Sequence, residues 1–160
     1  YIGSEYRFNR PFRVNGLLEV NFKGSIDRID RVGESVRIID YKSGTGETNF
    51  TGMDLLFDSS REKRPYQILQ VFVYALFYLL ENPGTKIAPS VYYLRSVFDK
   101  FDPAIRYDKH PIEDISVYLQ QFEERFVSIL EEIFNPDAPF TQTLNNKNCK
   151  WCTFRELCNK

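Results

Sequence analysis

The fold turns on one stretch, Gly24-Ser25-Ile26-Asp27-Arg28-Ile29-Asp30-Arg31-Val32-Gly33-Glu34-Ser35-Val36-Arg37-Ile38-Ile39-Asp40-Tyr41-Lys42-Ser43-Gly44. Phe22 to Asp30 reads as a first strand with Ile26 and Ile29 as its apolar anchors. Arg31 to Ser35 reads as a turn, with Gly33 where a positive φ is easiest. Val36 to Lys42 is β-branched and reads as the returning strand. Side chains alternate along a strand, so Asp40 and Lys42 share one face while Ile39 and Tyr41 share the other. The hairpin partner can carry Asp27 across to the Asp40 face. Two carboxylates and one ammonium then converge at a strand end, a set able to hold a divalent cation and hydrolyse a phosphodiester.

The rest of the composition bounds that reading. At 160 residues, 42% apolar and 27% charged, the chain suits one folded domain with a real core. Its formal net charge is −1, which argues against a free-standing nucleic-acid binder and leaves room for a local basic patch or a larger parent protein. The chain begins at Tyr1 rather than at methionine, and the expectation is a C-terminal fragment of a longer protein. No signal peptide is visible. The longest apolar run, Ile68 to Leu80, is too short to span a bilayer and reads as a buried helix. The three cysteines, an odd number clustered near the end, suit a reducing, cytoplasmic setting.

Upstream of the hairpin, Asn15-Gly16 is a turn signal between strands expected at about 5–13 and 17–30. Downstream, residues 44–65 read as a mobile loop with one short helical turn at Met53 to Phe57. Arg61, Lys63 and Arg64 close that loop; they are either a solvated basic face or a phosphate contact beside the next helix. Tyr66 to Glu81 is apolar nearly all round, except that Gln67, Gln70 and Tyr74 lie on one face. A polar stripe on a buried helix must find partners. Asn82-Pro83-Gly84 ends it. Ala88 to Arg95 reads as a strand and residues 96–109 as a hairpin or loop. His110 reads as a surface residue at a helix start, with Pro111 opening a long amphipathic core helix that runs through Phe134. No Ser/His/Asp or Cys/His set can be assembled around that single histidine.

The chain ends in Cys149-x-x-Cys152 followed, after five residues, by Cys158. Thiolates this close point to zinc or to an iron–sulfur cluster, and three are one short of the usual four.

Taken together, Asp27-Arg-x-Asp30, the short turn and Ile39-Asp40-Tyr41-Lys42 resemble the RecB-like branch of the PD-(D/E)XK nuclease superfamily. Gln70-x-x-x-Tyr74 resembles that branch's Gln-x-x-x-Tyr motif, and the cysteine spacing resembles the iron–sulfur staple of AddB-type nuclease domains. The resemblance covers about Glu5 to Cys158 and treats residues 1–160 as one domain with a cysteine-motif tail at 149–158. It implies a restriction-endonuclease-like α/β (α+β) core with a mixed central sheet flanked by helices. It implies a Mg²⁺- or Mn²⁺-dependent deoxyribonuclease, exonuclease before endonuclease, serving DNA recombination and repair beside a helicase domain or subunit.

By the same resemblance Asp27, Asp40 and the carbonyl of Tyr41 hold the cation, and Lys42 orients the attacking water or stabilises the transition-state charge. Glu5 leans toward the metal, Gln70 and Tyr74 edge the site, and Cys149, Cys152 and Cys158 hold a 4Fe-4S cluster. The fourth cysteine of that cluster lies upstream in the family and has no counterpart here, so the fragment is expected to be weakly active or inactive. Two rivals stand beside this reading: an inactive nuclease-like domain kept for DNA binding or as a scaffold, and an interaction domain built on a zinc knot.

Overall fold

The computed structural model describes residues 1–61, 63–96, 98, 102–143 and 146–159. Strands β1 (Gly3–Arg13), β2 (Glu19–Val32) and β3 (Ser35–Lys42) form an antiparallel meander. Between β1 and β2 the Asn15 side chain accepts the amide hydrogens of Leu17 and Leu18, at 3.0 and 2.9 Å, and closes the expected turn. Between β2 and β3, Gly33 has φ +60°, a conformation open to glycine without strain.

Past β3 the chain makes a two-residue strand, β4 (Asn49–Phe50), a single turn, α1 (Asp54–Phe57), and then the long helix α2 (Tyr66–Glu81). It returns as β5 (Ile87–Tyr93), which pairs parallel to β3 from Val36↔Ile87 to Lys42↔Tyr93. The central sheet has the order β1-β2-β3-β5. The mixed sheet flanked by helices is thus as expected. Residues 44–65 are more than a surface loop, however. Phe50, Met53 and Leu56 are all buried, and α1 falls where the short helical turn was expected.

The core lies between the sheet and two helices on one of its faces. Phe8 stacks on Phe77 of α2 with ring centroids 4.9 Å apart. The close fit needs Gly24 opposite, because a Cβ there would meet Phe8 at 2.3 Å. Phe12 and Phe22 pack edge-on or tilted against Phe77 and against Phe126 of the last helix, α3 (Ser116–Ile133). Each fully buried ring contributes about 1.5–3 kcal/mol of transfer free energy, so this aromatic seam joins the aliphatic core in holding the helices to the sheet. Among the described residues no helix is long and apolar enough to cross a membrane.

The start of α3 departs from expectation. His110 and Pro111 do not open a helix; they form a short strand, β7 (His110–Pro111), paired antiparallel with β6 (Arg106–Tyr107). The two-residue turn between them places Asp108 and Lys109 at φ 47° and 68°. Two successive left-handed residues make the primed turn that hairpins favour. It usually advertises itself with glycine, and none is present here. Pro111 is tolerated because the strand is at a sheet edge. The helix begins five residues later, where Asp114 accepts the amide hydrogen of Ser116 at 3.0 Å. His110 is exposed, as expected, with Nδ1 2.8 Å from the Asp108 carbonyl oxygen. Of the expected hairpin or loop over 96–109, Val97 and residues 99–101 lie outside the described residues.

Candidate active site

The β2–β3 ladder runs from Val32↔Ser35 to Arg28↔Ile39 and stops there. Continued by one residue, it would set Asp27 opposite Asp40. In place of a backbone acceptor, the Asp27 carboxylate itself takes the amide hydrogen of Tyr41, at 2.8 Å. The strands part at that point, and two acidic side chains occupy the gap. Asp40 and Lys42 lie on the α2 side, as the alternation along β3 requires.

Asp40 is 1% exposed. Lys42 Nζ stands 2.7 Å from its Oδ2 as an ion pair. Oδ2 is enclosed, and beyond this ion pair no hydrogen-bond partner reaches it among the described residues. Lys42 also donates to Gln70 Oε1 on α2, at 2.9 Å. Gln70 Nε2 in turn donates to the Tyr74 hydroxyl at 2.6 Å. Two of the three polar residues of the α2 stripe, Gln70 and Tyr74, therefore join one chain, Tyr74 to Gln70 to Lys42, that ends on Asp40.

Burial pushes the Asp40 carboxyl above the ordinary carboxylate range; Lys42 opposes the shift and the nearby charge of Asp27 adds to it. Burial likewise raises the Tyr74 phenol, opposed by its bond from Gln70 and reinforced by Asp40 and Asp27. Tyr93, fully buried and paired with Lys42 in the β3–β5 ladder, has its phenol raised by burial and then by Asp40. Tyr93 is the neighbour that sequence reading missed. The signal was its place at the end of an apolar strand, which becomes meaningful only once β5 is known to pair with β3.

Glu5 is placed differently from the others. It sits on β1 with φ 51° and accepts a hydrogen bond from Ser25 Oγ at 3.2 Å. It is exposed, and its carboxylate is engaged by Ser25, two residues from Asp27 along β2. Tyr41 turns its ring to the far side of the sheet, 5.7 Å from Tyr92. Its amide is the one that holds Asp27.

The residues fit a hard divalent cation. Asp40 carries a buried oxygen with no partner beyond the Lys42 ammonium among the described residues, and Asp27 supplies a second carboxylate from the facing strand. Magnesium is commonly held by one or two carboxylates and keeps several waters, so a two-acid site is enough. No group of three or more His, Cys, Asp or Glu residues gathers as a metal centre among the described residues. The cysteine tail does not fit its expected cluster. Cys149 is buried, Cys152 exposed and Cys158 intermediate, all three as free thiols. The segment holds itself by turns, with the Cys152 amide donating to the Cys149 carbonyl and the Cys158 amide to those of Phe154 and Arg155.

Compared with known proteins, residues 1–159 match a family model described as the PD-(D/E)XK nuclease superfamily. No curated protein and no solved structure matches the chain.

Proposed function

The chain belongs to the PD-(D/E)XK nuclease superfamily, and from that premise we propose that it hydrolyses DNA phosphodiester bonds with Mg²⁺ or Mn²⁺, using Asp27, Asp40 and Lys42. The observation that supports the proposal is the enclosed Asp40 Oδ2, which beside the Lys42 ammonium that α2 holds in place has no further hydrogen-bond partner among the described residues. A buried carboxylate with a single charged neighbour costs stability, and a cation held by Asp27 and Asp40 would offset that cost.

Held there, the cation would supply a Lewis acid that makes a water acidic and offsets charge growing on the phosphate. The protein's own part is positional. Asp27 is fixed by the Tyr41 amide, so its carboxylate cannot swing away from the gap. Gln70 accepts from Lys42 and holds the ammonium beside Asp40, where it can orient the attacking water or meet the developing negative charge. Tyr74 holds the Gln70 amide in that orientation.

The contact between the Gln70–Tyr74 pair and Lys42 favours the RecB-like branch within the superfamily, close to the AddB type. In that setting the chain works exonucleolytically in recombination or repair, as the nuclease module beside a helicase, in the cytoplasm. Glu5 stays outside this mechanism while it is engaged by Ser25.

The test is cleavage of labelled linear DNA with Mg²⁺, with Mn²⁺ and with chelator. Metal-dependent shortening from an end supports the full reading. Internal cuts would keep the chemistry and remove the exonuclease assignment. DNA binding without cleavage in either metal would leave a nuclease-like scaffold in place of an enzyme.

A further inference from the structure

Beyond the C-terminal ends of the parallel strands β3 and β5 lies a cavity of about 560 Å³. Its wall includes Glu47, Arg61, Lys63, Arg64, Tyr66 and Gln67. Ligands of open α/β sheets bind outside the carboxyl ends of the strands, which is where this cavity opens. It also adjoins the candidate active site. Gln67 is one helical turn before Gln70, which holds Lys42. Glu47 accepts a hydrogen bond through its carbonyl from Tyr93, the residue paired with Lys42, at 3.4 Å.

The chemistry of the wall is that of a phosphate binder. Arg61, Lys63 and Arg64 bring three positive charges against one carboxylate, Glu47, among the described lining residues. Among the described residues none of the three cations is in an ion pair. Helix α2 starts at the same wall with no acidic residue in its first turn and no capping side chain. Tyr66 is 58% exposed there and offers a ring face. Exposed aromatic faces beside cations are how single strands are held without sequence preference. The volume lies within the roughly 300–1,000 Å³ of small-ligand pockets and suits a nucleotide. It corresponds to a sphere about 10 Å across, which leaves room for one nucleotide and not for a base pair with both its backbones.

We infer that this cavity is a nucleotide subsite. It holds the phosphate and base of a nucleotide flanking the scissile bond, through Arg61, Lys63, Arg64 and the Tyr66 ring, and so selects an unpaired strand over a duplex. The inference rests on the nuclease reading, but its test does not depend on turnover. With chelator present, binding of a fluorescein-labelled oligothymidylate and of a blunt duplex of equal length is followed by anisotropy over a salt series. The wild-type chain should bind the single strand at least tenfold more tightly. Arg61→Ala/Arg64→Ala should lose at least tenfold of that affinity. Two lost phosphate contacts should flatten the log–log salt slope by about 1.4, at roughly 0.7 per contact for single strands. Arg61→Lys/Arg64→Lys should restore most of the slope, which a merely structural role would not do. Equal affinity for single strand and duplex, or an unchanged slope in the alanine variant, would overturn the subsite. Selective, salt-sensitive binding with no metal-dependent cleavage would instead remove the nuclease reading and keep the subsite.

Discussion

Two aspartates on neighbouring strands show what separates a structural carboxylate from a functional one. Asp30 and Asp40 are both buried, at 4% and 1% exposure. On the outer face of the sheet, Asp30 takes two hydrogen bonds from Arg37, at 2.9 and 2.8 Å, and a third from Arg28 at 3.2 Å. Arg37 holds its carboxyl below the usual range, burial works against that, and Arg28 helps. Every demand of Asp30 is met by the protein. On the helix side, Asp40 has one ammonium, 2.7 Å from an enclosed Oδ2 with no further partner among the described residues, and burial raises its carboxyl against the opposing effect of Lys42. A fold that satisfies one buried aspartate with a bidentate arginine and leaves the other partly unserved points to an external partner for the second.

The strongest way to break this comparison is to remove the charge of Asp40. Asp40→Asn keeps the shape of the side chain and should abolish metal-dependent cleavage, by at least about a thousandfold or roughly 4 kcal/mol of transition-state stabilisation. The melting temperature of the metal-free protein should hold or rise, because the amide carries no charge to bury. Near-normal cleavage by Asp40→Asn would sink the assignment of the site.

Asp30→Ala should do the opposite. It strands Arg37 and Arg28, both of which still reach solvent, so the cost should be about 2 kcal/mol. For a chain of this size that is a fall of about 4–8 °C in Tm. Cleavage per folded molecule should be unchanged. A loss of turnover in a folded Asp30→Ala protein would mean that the outer face takes part in the reaction.

Gln70→Ala sharpens the comparison from the partner's side. Without its acceptor on α2, Lys42 keeps only Asp40 and loses its aim. A fall in kcat of about tenfold is expected, about 1.4 kcal/mol, with Tm shifted by less than about 3 °C. A large fall in Tm with normal turnover per folded molecule would make Gln70 a packing residue.

Much of this geometry was legible in the sequence, and the exceptions have physical reasons. Asp40 and Lys42 share a face because β3 is regular, so period-two alternation was a sufficient guide. The stripe Gln70 and Tyr74 was visible because polar residues on an apolar helix have to be explained. The fate of Glu5 was hidden by one irregularity. Ile26 and Ile29 are both fully buried although three residues apart, so alternation along β2 breaks between them. Opposite that break, Glu5 has φ 51° and drops out of the β1–β2 register between Ser4↔Arg28 and Tyr6↔Ile26. Asp27 facing Asp40 and Asp30 facing Arg37 need no such break, because the two pairs lie three residues apart on both strands of one ladder and so fall on opposite faces. Two apolar anchors at an odd spacing in a strand were the available signal. The late start of α3 had no such signal, because its hairpin turn uses Asp108 and Lys109 where glycine is usual.

The subtlest test asks whether the two aspartates respond to pH in opposite directions in metal-free protein. Asp30 has a lowered folded pKa, so the unfolded chain binds more protons near its ordinary value of 3.8. Its contribution to stability is complete above that value and is lost as the pH falls through the folded pKa. Asp40 has a raised folded pKa, so between 3.8 and that higher value the folded chain binds more protons. Stability linked to Asp40 is present below 3.8 and is lost as the pH rises through the folded pKa. Relative to the wild type, Asp30→Asn should therefore be most destabilised at neutral pH and converge with it in acid. Asp40→Asn should match the wild type in acid and gain on it as the pH rises. Mg²⁺ at a hundred times its dissociation constant should return about 2.7 kcal/mol to the wild type and nothing comparable to Asp40→Asn. Melting temperatures of the three proteins across an acid-to-neutral series, with and without Mg²⁺, read all of this directly. Parallel pH curves for the two variants would mean that Asp40 is as well served by the protein as Asp30, and the case for a cation beside it would fall.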